Sequence, residues 1–292
     1  MNKKLIHLKN DLASLNKSYL LCLGLVFLFG IYKNIISLLA SNISNTLLLS
    51  RLLFIVIGFS AGLLNDFIKN QKLSIGFNTI GGLIVGMIIP FKTNLIIFVI
   101  SMLSFIGIDF IDKDNKINKI CLTKILCVIL MSVFSNYTYL NPMETSYEYV
   151  YSLWDVFVGN QIGGIFSTSV MLVLISLMIL SANKLYKSKI ALISLGSYIL
   201  TLCCLLISKN YMNIFLMMLN SSNVFAFIFI APFSIYSPYK NKEIIVYSFI
   251  VGIITALITY FVNFYEATII SILFANLVII LWNRIHKSTN NS

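Results

Sequence analysis

The sequence predicts an all-α polytopic membrane protein, with about ten transmembrane helices in two inverted five-helix halves. Three observations predict this. The 292 residues are 59% hydrophobic and only 11% charged, with a mean hydropathy of +0.92, more apolar surface than one aqueous core can hide. The apolar residues are grouped in stretches of roughly 20, the length a helix needs to cross a bilayer. Short lysine-bearing loops separate those stretches.

The spans follow from the chain in order. The first, near 18–40, begins after Lys17, shows no small-residue cleavage site and leads into further spans. It reads as a retained helix and not as a signal peptide. The second lies near 49–67. The third, near 76–91, and the fourth, near 93–111, are divided only by Pro90, Phe91, Lys92 and Thr93. The fifth lies near 118–135. The longest polar interruption then covers 136–163 and is rich in aromatics. The last five spans lie near 164–182, 189–208, 212–233, 244–262 and 265–283. The chain is a single membrane domain over 1–292. An outer loop, 136–163, joins halves at 18–135 and 164–283.

Charge sets the orientation. With the N-terminus in the cytoplasm, 16 of the 21 lysines and arginines fall on the inner side. Lys33, Arg51, Lys92 and Lys209 fall at outer ends, and Lys124 lies inside the fifth span. This bias places both termini inside. The loop 136–163 has no lysine or arginine, only Glu144, Glu148 and Asp155, so it belongs outside. The net charge of +11 does not indicate a nucleic-acid partner, because the cations sit at helix ends and form no long patch.

Five spans is an odd number, so a duplicated half would be inserted upside down. The third span of each half carries a matching interruption. In the first half it holds Gly76, Asn78, Gly81 and Gly82, then Pro90. In the second it holds Asn220, Ser221, Ser222 and Asn223, then Pro232 and Pro238. Interruptions at matching positions point to a binding site near the membrane centre; glycine and proline are also simply common in packed membrane helices. Gly81, Gly82 and Gly86 predict a close helix contact or a ligand wall near the membrane centre, with Gly82 and Gly86, four residues apart, on one face.

Few residues offer chemistry. The chain has no P-loop, no dinucleotide-binding glycine motif and no zinc spacing. Cys22, Cys121, Cys127, Cys203 and Cys204 read as small buried hydrophobes. His7 and His286 lie among lysines near the termini and read as solvated. Lys124 is expected to snorkel to the inner face, and Asp66 and Asp109 to sit at the interface. The segment Trp154 to Ser169 differs from these. Gly163 and Gly164 permit close backbone approach. Ser167, Thr168 and Ser169 set hydroxyls at a helix N-terminus, where orphan amides favour a phosphate. The same residues also make an ordinary N-cap.

This segment resembles the flavin-attachment region of the RnfD and NqrB family, membrane proteins of the Rnf and Nqr redox complexes. Phe157-Val158-Gly159 and then Gly163-Gly164-Ile165-Phe166-Ser167-Thr168-Ser169 match its pattern, with Thr168 at the threonine position. Ser167 stands at the family's glutamate and Phe166 at its second glycine. Gly82 to Pro90 is similar to the family's glycine- and leucine-rich third helix. Ser237-Pro238, Glu266 and Asn276 fit its C-terminal pattern. Its Thr-Asp-Pro is replaced around Pro232-Phe233-Ser234, and its Asn-Pro repeat before the fifth helix is absent.

The resemblance implies ten spans with inverted halves, in the cytoplasmic (inner) membrane of a bacterium. It implies FMN esterified through its phosphate to Thr168, with Ser167, Ser169, Gly163 and Gly164 around it. A second, noncovalent ligand, riboflavin or a quinone, is expected between the interrupted helices. The implied partners are other membrane and peripheral subunits of a redox complex, and a flavin transferase. The implied role is electron transfer coupled to sodium or proton movement. A small-solute permease on the same fold, or a purely structural subunit, are the competing readings. Covalent flavin separates them.

Overall fold

The computed structural model describes residues 3–39, 45–71, 74–90, 93–112, 117–134, 152–161, 163–205, 211–262 and 264–289. Most of the expected loop 136–163, including Tyr147, Tyr149 and Tyr151, lies outside the described residues, as do Phe91, Lys92 and Lys209. The described residues are helical, with no strand among them. The elements are α1 (Lys3–Leu39), α2 (Asn45–Asn70), α3 (Phe77–Ile88), α4 (Leu95–Ile111), α5 (Lys119–Phe134) and α6 (Leu153–Val158). They continue as α7 (Val170–Ser181), α8 (Ser188–Leu205), α9 (Tyr211–Met218), α10 (Ser221–Phe225) with a π-helical turn (Ala226–Ile230), α11 (Asn241–Val262) and α12 (Ala267–Thr289).

Five helices contain stretches long and apolar enough to cross a membrane: Leu12–Leu39, Leu48–Asn70, Ser188–Leu205, Asn241–Val262 and Ala267–Ile285. Shorter apolar helices stand beside them, including Phe77–Ile88, Leu95–Ile111, Val170–Ser181 and Phe215–Ile230. Large apolar side chains such as Leu103, Met178 and Leu200 are exposed on the outer helix faces, as expected of surfaces solvated by lipid. The chain is a multi-pass membrane protein.

Helix pairing follows the small residues. α2 packs along α3, and α8 along α11. Gly58 and Gly62 of α2 face α3 at the same four-residue spacing as Gly82 and Gly86. A Cβ on Gly82 would collide with the Gly58 carbonyl, and one on Gly86 would sit 2.8 Å from the Phe54 carbonyl. The two backbones therefore touch. Gly81, on another face of α3, is buried against Phe105 and Ile120. In the second half Gly252 of α11 plays the same part against Ser194 and Ser197 of α8.

The interrupted spans are interrupted in space. α3 starts where Asp66 of α2 accepts hydrogen bonds from the Gly76 amide (2.9 Å), the Thr79 amide (2.8 Å) and the Thr79 hydroxyl (2.6 Å). It stops at Ile88, because Pro90 forces Ile89 into the extended region (ψ 142°). The expected eighth helix is broken at Leu219 and Asn220, whose side chain caps α10 through the Ser222 and Asn223 amides. The following π-helical turn ends at Ile230, two residues before Pro232. Tyr19, Tyr186, Phe229 and Phe233 form an aromatic cluster that joins α1 to this turn, and Phe77 of α3 meets Phe233 at 5.6 Å between centroids.

Four expectations need correction. The sixth span's helix begins at Val170 and not at 164, because the Ile165 and Phe166 amides go to the end of α3 and the Ser167 amide turns back to the Gly164 carbonyl. Lys124 does not snorkel. It is fully buried, pairs with the buried Glu266 at 3.0 Å and donates to the Ile88 carbonyl at the C-terminus of α3. Asp66 is buried as well, while Asp109 is half-buried. Asp109 is held by Lys69, Lys119 and Asn65, which ties the neighbouring ends of α2, α4 and α5 together. Of the cysteines, Cys203 and Cys204 are exposed on α8, while Cys22, Cys121 and Cys127 are buried.

Candidate functional site

The residues singled out by sequence form one non-helical strip between the two interrupted spans. It is introduced by α6, a single capped turn. Ser152 and Asp155 satisfy each other's backbone amides in a capping box. The turn ends at Gly159, whose φ of +120° suits glycine alone and whose Cβ would strike the Ser169 backbone. The chain then doubles back through Gln161 and Gly163 to Ser169.

Each side of the strip meets a broken helix. On one side the Ile165 amide donates to the Ile89 carbonyl (3.0 Å) and the Phe166 amide to the Met87 carbonyl (3.1 Å). These carbonyls are left over where α3 stops, and hydrocarbon offers no other donor. Gly164 passes so close that a Cβ would lie 2.8 Å from the Ile88 Cα. On the other side a Cβ on Gly163 would lie 2.9 Å from Ser221 Oγ and 3.1 Å from Tyr265 OH. Those two hydroxyls are themselves 3.0 Å apart. Gln161 Nε2 donates to the carbonyls of Val156 (2.8 Å), Thr168 (3.2 Å) and Leu219 (3.3 Å), and the last of these marks the α9–α10 break.

The three hydroxyl residues have distinct places. Ser169 is the N-cap of α7, and its Oγ accepts from the Leu172 amide at 3.4 Å. Thr168 comes one residue earlier, with Ser167 before it. All three are buried, Thr168 with 4% of its surface exposed. Lys33 of α1 reaches Thr168. Its ammonium donates to the carbonyls of Gly159 (2.9 Å) and Gln161 (3.1 Å), and lies 3.5 Å from Thr168 Oγ1. Next to it in the chain, Asn34 donates to the Gly30 carbonyl and, at 3.5 Å, to the Ile165 carbonyl; its Oδ1 accepts from the Arg51 guanidinium.

Lys33 and Arg51, counted by sequence as outer-end cations, are buried at 2% and 0% exposure. Sequence reasoning missed their part in the site. A signal was present: Lys33, Asn34 and Ser37 interrupt an otherwise apolar helix, and polar groups at membrane depth need a reason. Of the aromatics expected to shield a ligand, Trp154 is described. It is exposed on the capped turn, beside Phe157 at 6.1 Å between centroids.

The donor set fits a phosphate ester. A buried ammonium beside Thr168 Oγ1 balances negative charge, and the α7 amides begin close by. A phosphate ester on the buried Thr168 would require the strip to open, or attachment to precede its packing. No curated protein matches the chain. A family model matches residues 16–291, nearly the whole of it. The sequence pattern, the helical membrane architecture and that match agree: the chain belongs to the NQR2, RnfD, RnfE family of membrane subunits of redox complexes.

Proposed function

We propose that the chain carries FMN on Thr168, joined through the flavin phosphate, and serves as an electron-transfer subunit coupled to sodium or proton translocation. The observation that carries this reading is the buried Lys33 ammonium, 3.5 Å from Thr168 Oγ1 at the head of α7. When bound, FMN would supply the redox chemistry, while the protein supplies position and electrostatics. Lys33 would balance the phosphate charge. Gly163 and Gly164 let the strip pass between α3 and α10, so Thr168 stays at the junction of both halves. We read those halves as inverted copies. The interrupted spans at matching positions support this, as does the packing of α1 on α7 and of α5 on α12. We also read the chain as an inner-membrane protein of a bacterium, with both termini cytoplasmic.

A permease without covalent flavin is the second reading. Ser167 at the motif's acidic position and the burial of Thr168 favour it. The deciding experiment is intact-mass spectrometry of wild type and Thr168→Val, each expressed with a flavin transferase. An FMN-sized increment in wild type that is lost in the variant is the expected result. No increment in wild type, from a host that flavinylates a control protein, sinks the flavin reading and leaves the permease.

A further inference from the structure

A second site lies away from the strip, where the turn after the π-helical segment meets α12. A groove of about 420 Å³ opens there. One wall is a single face of α12, with Asn276, Ile280 and Asn283 at helical spacing. The other wall is the turn containing Tyr239 and Lys240, together with Glu243 in the first turn of α11.

Asn276 lines this groove. It is 4% exposed, and its Nδ2 has no hydrogen-bond partner among the described residues. A buried amide donor left unpaired costs free energy, so the groove favours an occupant with an acceptor oxygen. The surrounding charge selects the kind of acceptor. Lys187 stands behind the turn, 3.7 Å from the Tyr239 ring centroid and hydrogen-bonded to Ser237. Lys240 is at the rim, 3.0 Å from Glu243. Lys187 and Lys240 against Glu243 leave one cation in excess at this wall. Beside it the helices are apolar and open. Ile245, Leu277 and Leu281 are 46%, 53% and 56% exposed. A polar, positive pocket next to bare apolar helix faces suits an amphiphile with an anionic head.

We propose that the groove holds an anionic phospholipid, whose phosphodiester and ester oxygens accept from Asn276 Nδ2 and whose acyl chains lie along Ile245, Leu277 and Leu281. The lipid bridges the turn to α12 and so fixes the end of the interrupted span. This site does not depend on the flavin reading.

The test is native mass spectrometry of the full chain in detergent, with equal amounts of phosphatidylglycerol and phosphatidylethanolamine added. Wild type should retain phosphatidylglycerol in clear preference. Asn276→Leu, which keeps the volume but removes the donor, should weaken retention about tenfold, the equivalent of one good hydrogen bond. Ile280→Trp, which fills the groove with bulk while leaving Asn276 in place, should abolish it and decides the matter if Asn276→Leu fails to fold. Equal retention of the two lipids overturns the proposal. So does undiminished phosphatidylglycerol retention in a folded variant. A polypeptide held at this face and displaced by Ile280→Trp would also overturn it, in favour of a subunit contact.

Discussion

Removing Lys124 should be among the most damaging single changes in the protein. Its ammonium pairs with Glu266 at 3.0 Å and also donates to the Ile88 carbonyl, with both side chains essentially unexposed. Lys124→Met strips both acceptors at once. An uncompensated buried carboxylate costs about 3–5 kcal/mol, and the abandoned carbonyl adds about 1–3 kcal/mol. Even a total of ~4 kcal/mol shifts the unfolding equilibrium roughly 10³-fold. Glu266→Gln alone removes the charge partner but keeps the bond to Ile88, so it should cost less. The double variant Lys124→Met with Glu266→Gln contains no uncompensated charge. It should be more stable than Lys124→Met alone, left with only the cost of the Ile88 carbonyl. Reversible unfolding in mixed detergent micelles, followed by circular dichroism, measures all four proteins. A double variant as unstable as the sum of the singles would refute the reasoning. So would a Lys124→Met protein within about 1 kcal/mol of wild type, which lies below the expected cost of the stranded carboxylate.

Three further outcomes are expected. Gly82→Leu should part α2 from α3 and lose the monodisperse peak in size-exclusion chromatography, while Gly107→Leu, whose Cβ meets nothing within 4 Å, should keep it. Burial pushes the Lys187 ammonium, in the turn between α7 and α8, down to about 8. The folded state therefore binds fewer protons than the unfolded state between that value and the ordinary lysine range near 10.4, so wild type should gain stability relative to Lys187→Gln as pH rises from about 8 to 10 in thermal melts. A single cysteine at position 147 in place of Tyr147, in a chain freed of its native cysteines, should label from outside intact cells with an impermeant maleimide; labelling only after permeabilisation would reverse the topology.

Much of the architecture was legible because it is written locally. Apolar length marks the spans, and Pro90 and the Asn220–Asn223 cluster mark the two interruptions. Gly82 and Gly86 announce a contact, although their partners Gly58 and Gly62 become clear only when α2 is placed beside them. The site was half legible. Gly163, Gly164, Ser167, Thr168 and Ser169 were singled out by residue type and by the family resemblance, and Ser169 is the N-cap that their residue types implied. What spacing could not supply was pairing across the chain. Lys33 reaches Thr168 from a helix more than a hundred residues away, and Glu266 finds Lys124 across the two halves. A lone lysine in an apolar run reads equally as snorkelling or as paired until its partner is in view. The start of the sixth span was misjudged for a related reason. Gly163, Gly164 and the cap residues Ser167 to Ser169 weaken helix locally, and the end of α3 then takes the Ile165 and Phe166 amides and holds the segment out of helix.

That last exchange constrains how the protein can be made. The first half leaves the ribosome with α3 already cut short by Pro90. At that moment the carbonyls of Met87 and Ile89 face donors that have not been synthesised, and Ile88 has Lys124 but Lys124 lacks Glu266. A half-made protein therefore carries an open polar seam inside the bilayer, one that only the strip and the start of α12 can close. Insertion of the first five helices is not a finished folding step. Such an intermediate would have to keep water, or an insertion factor, against α3 until the second half arrives.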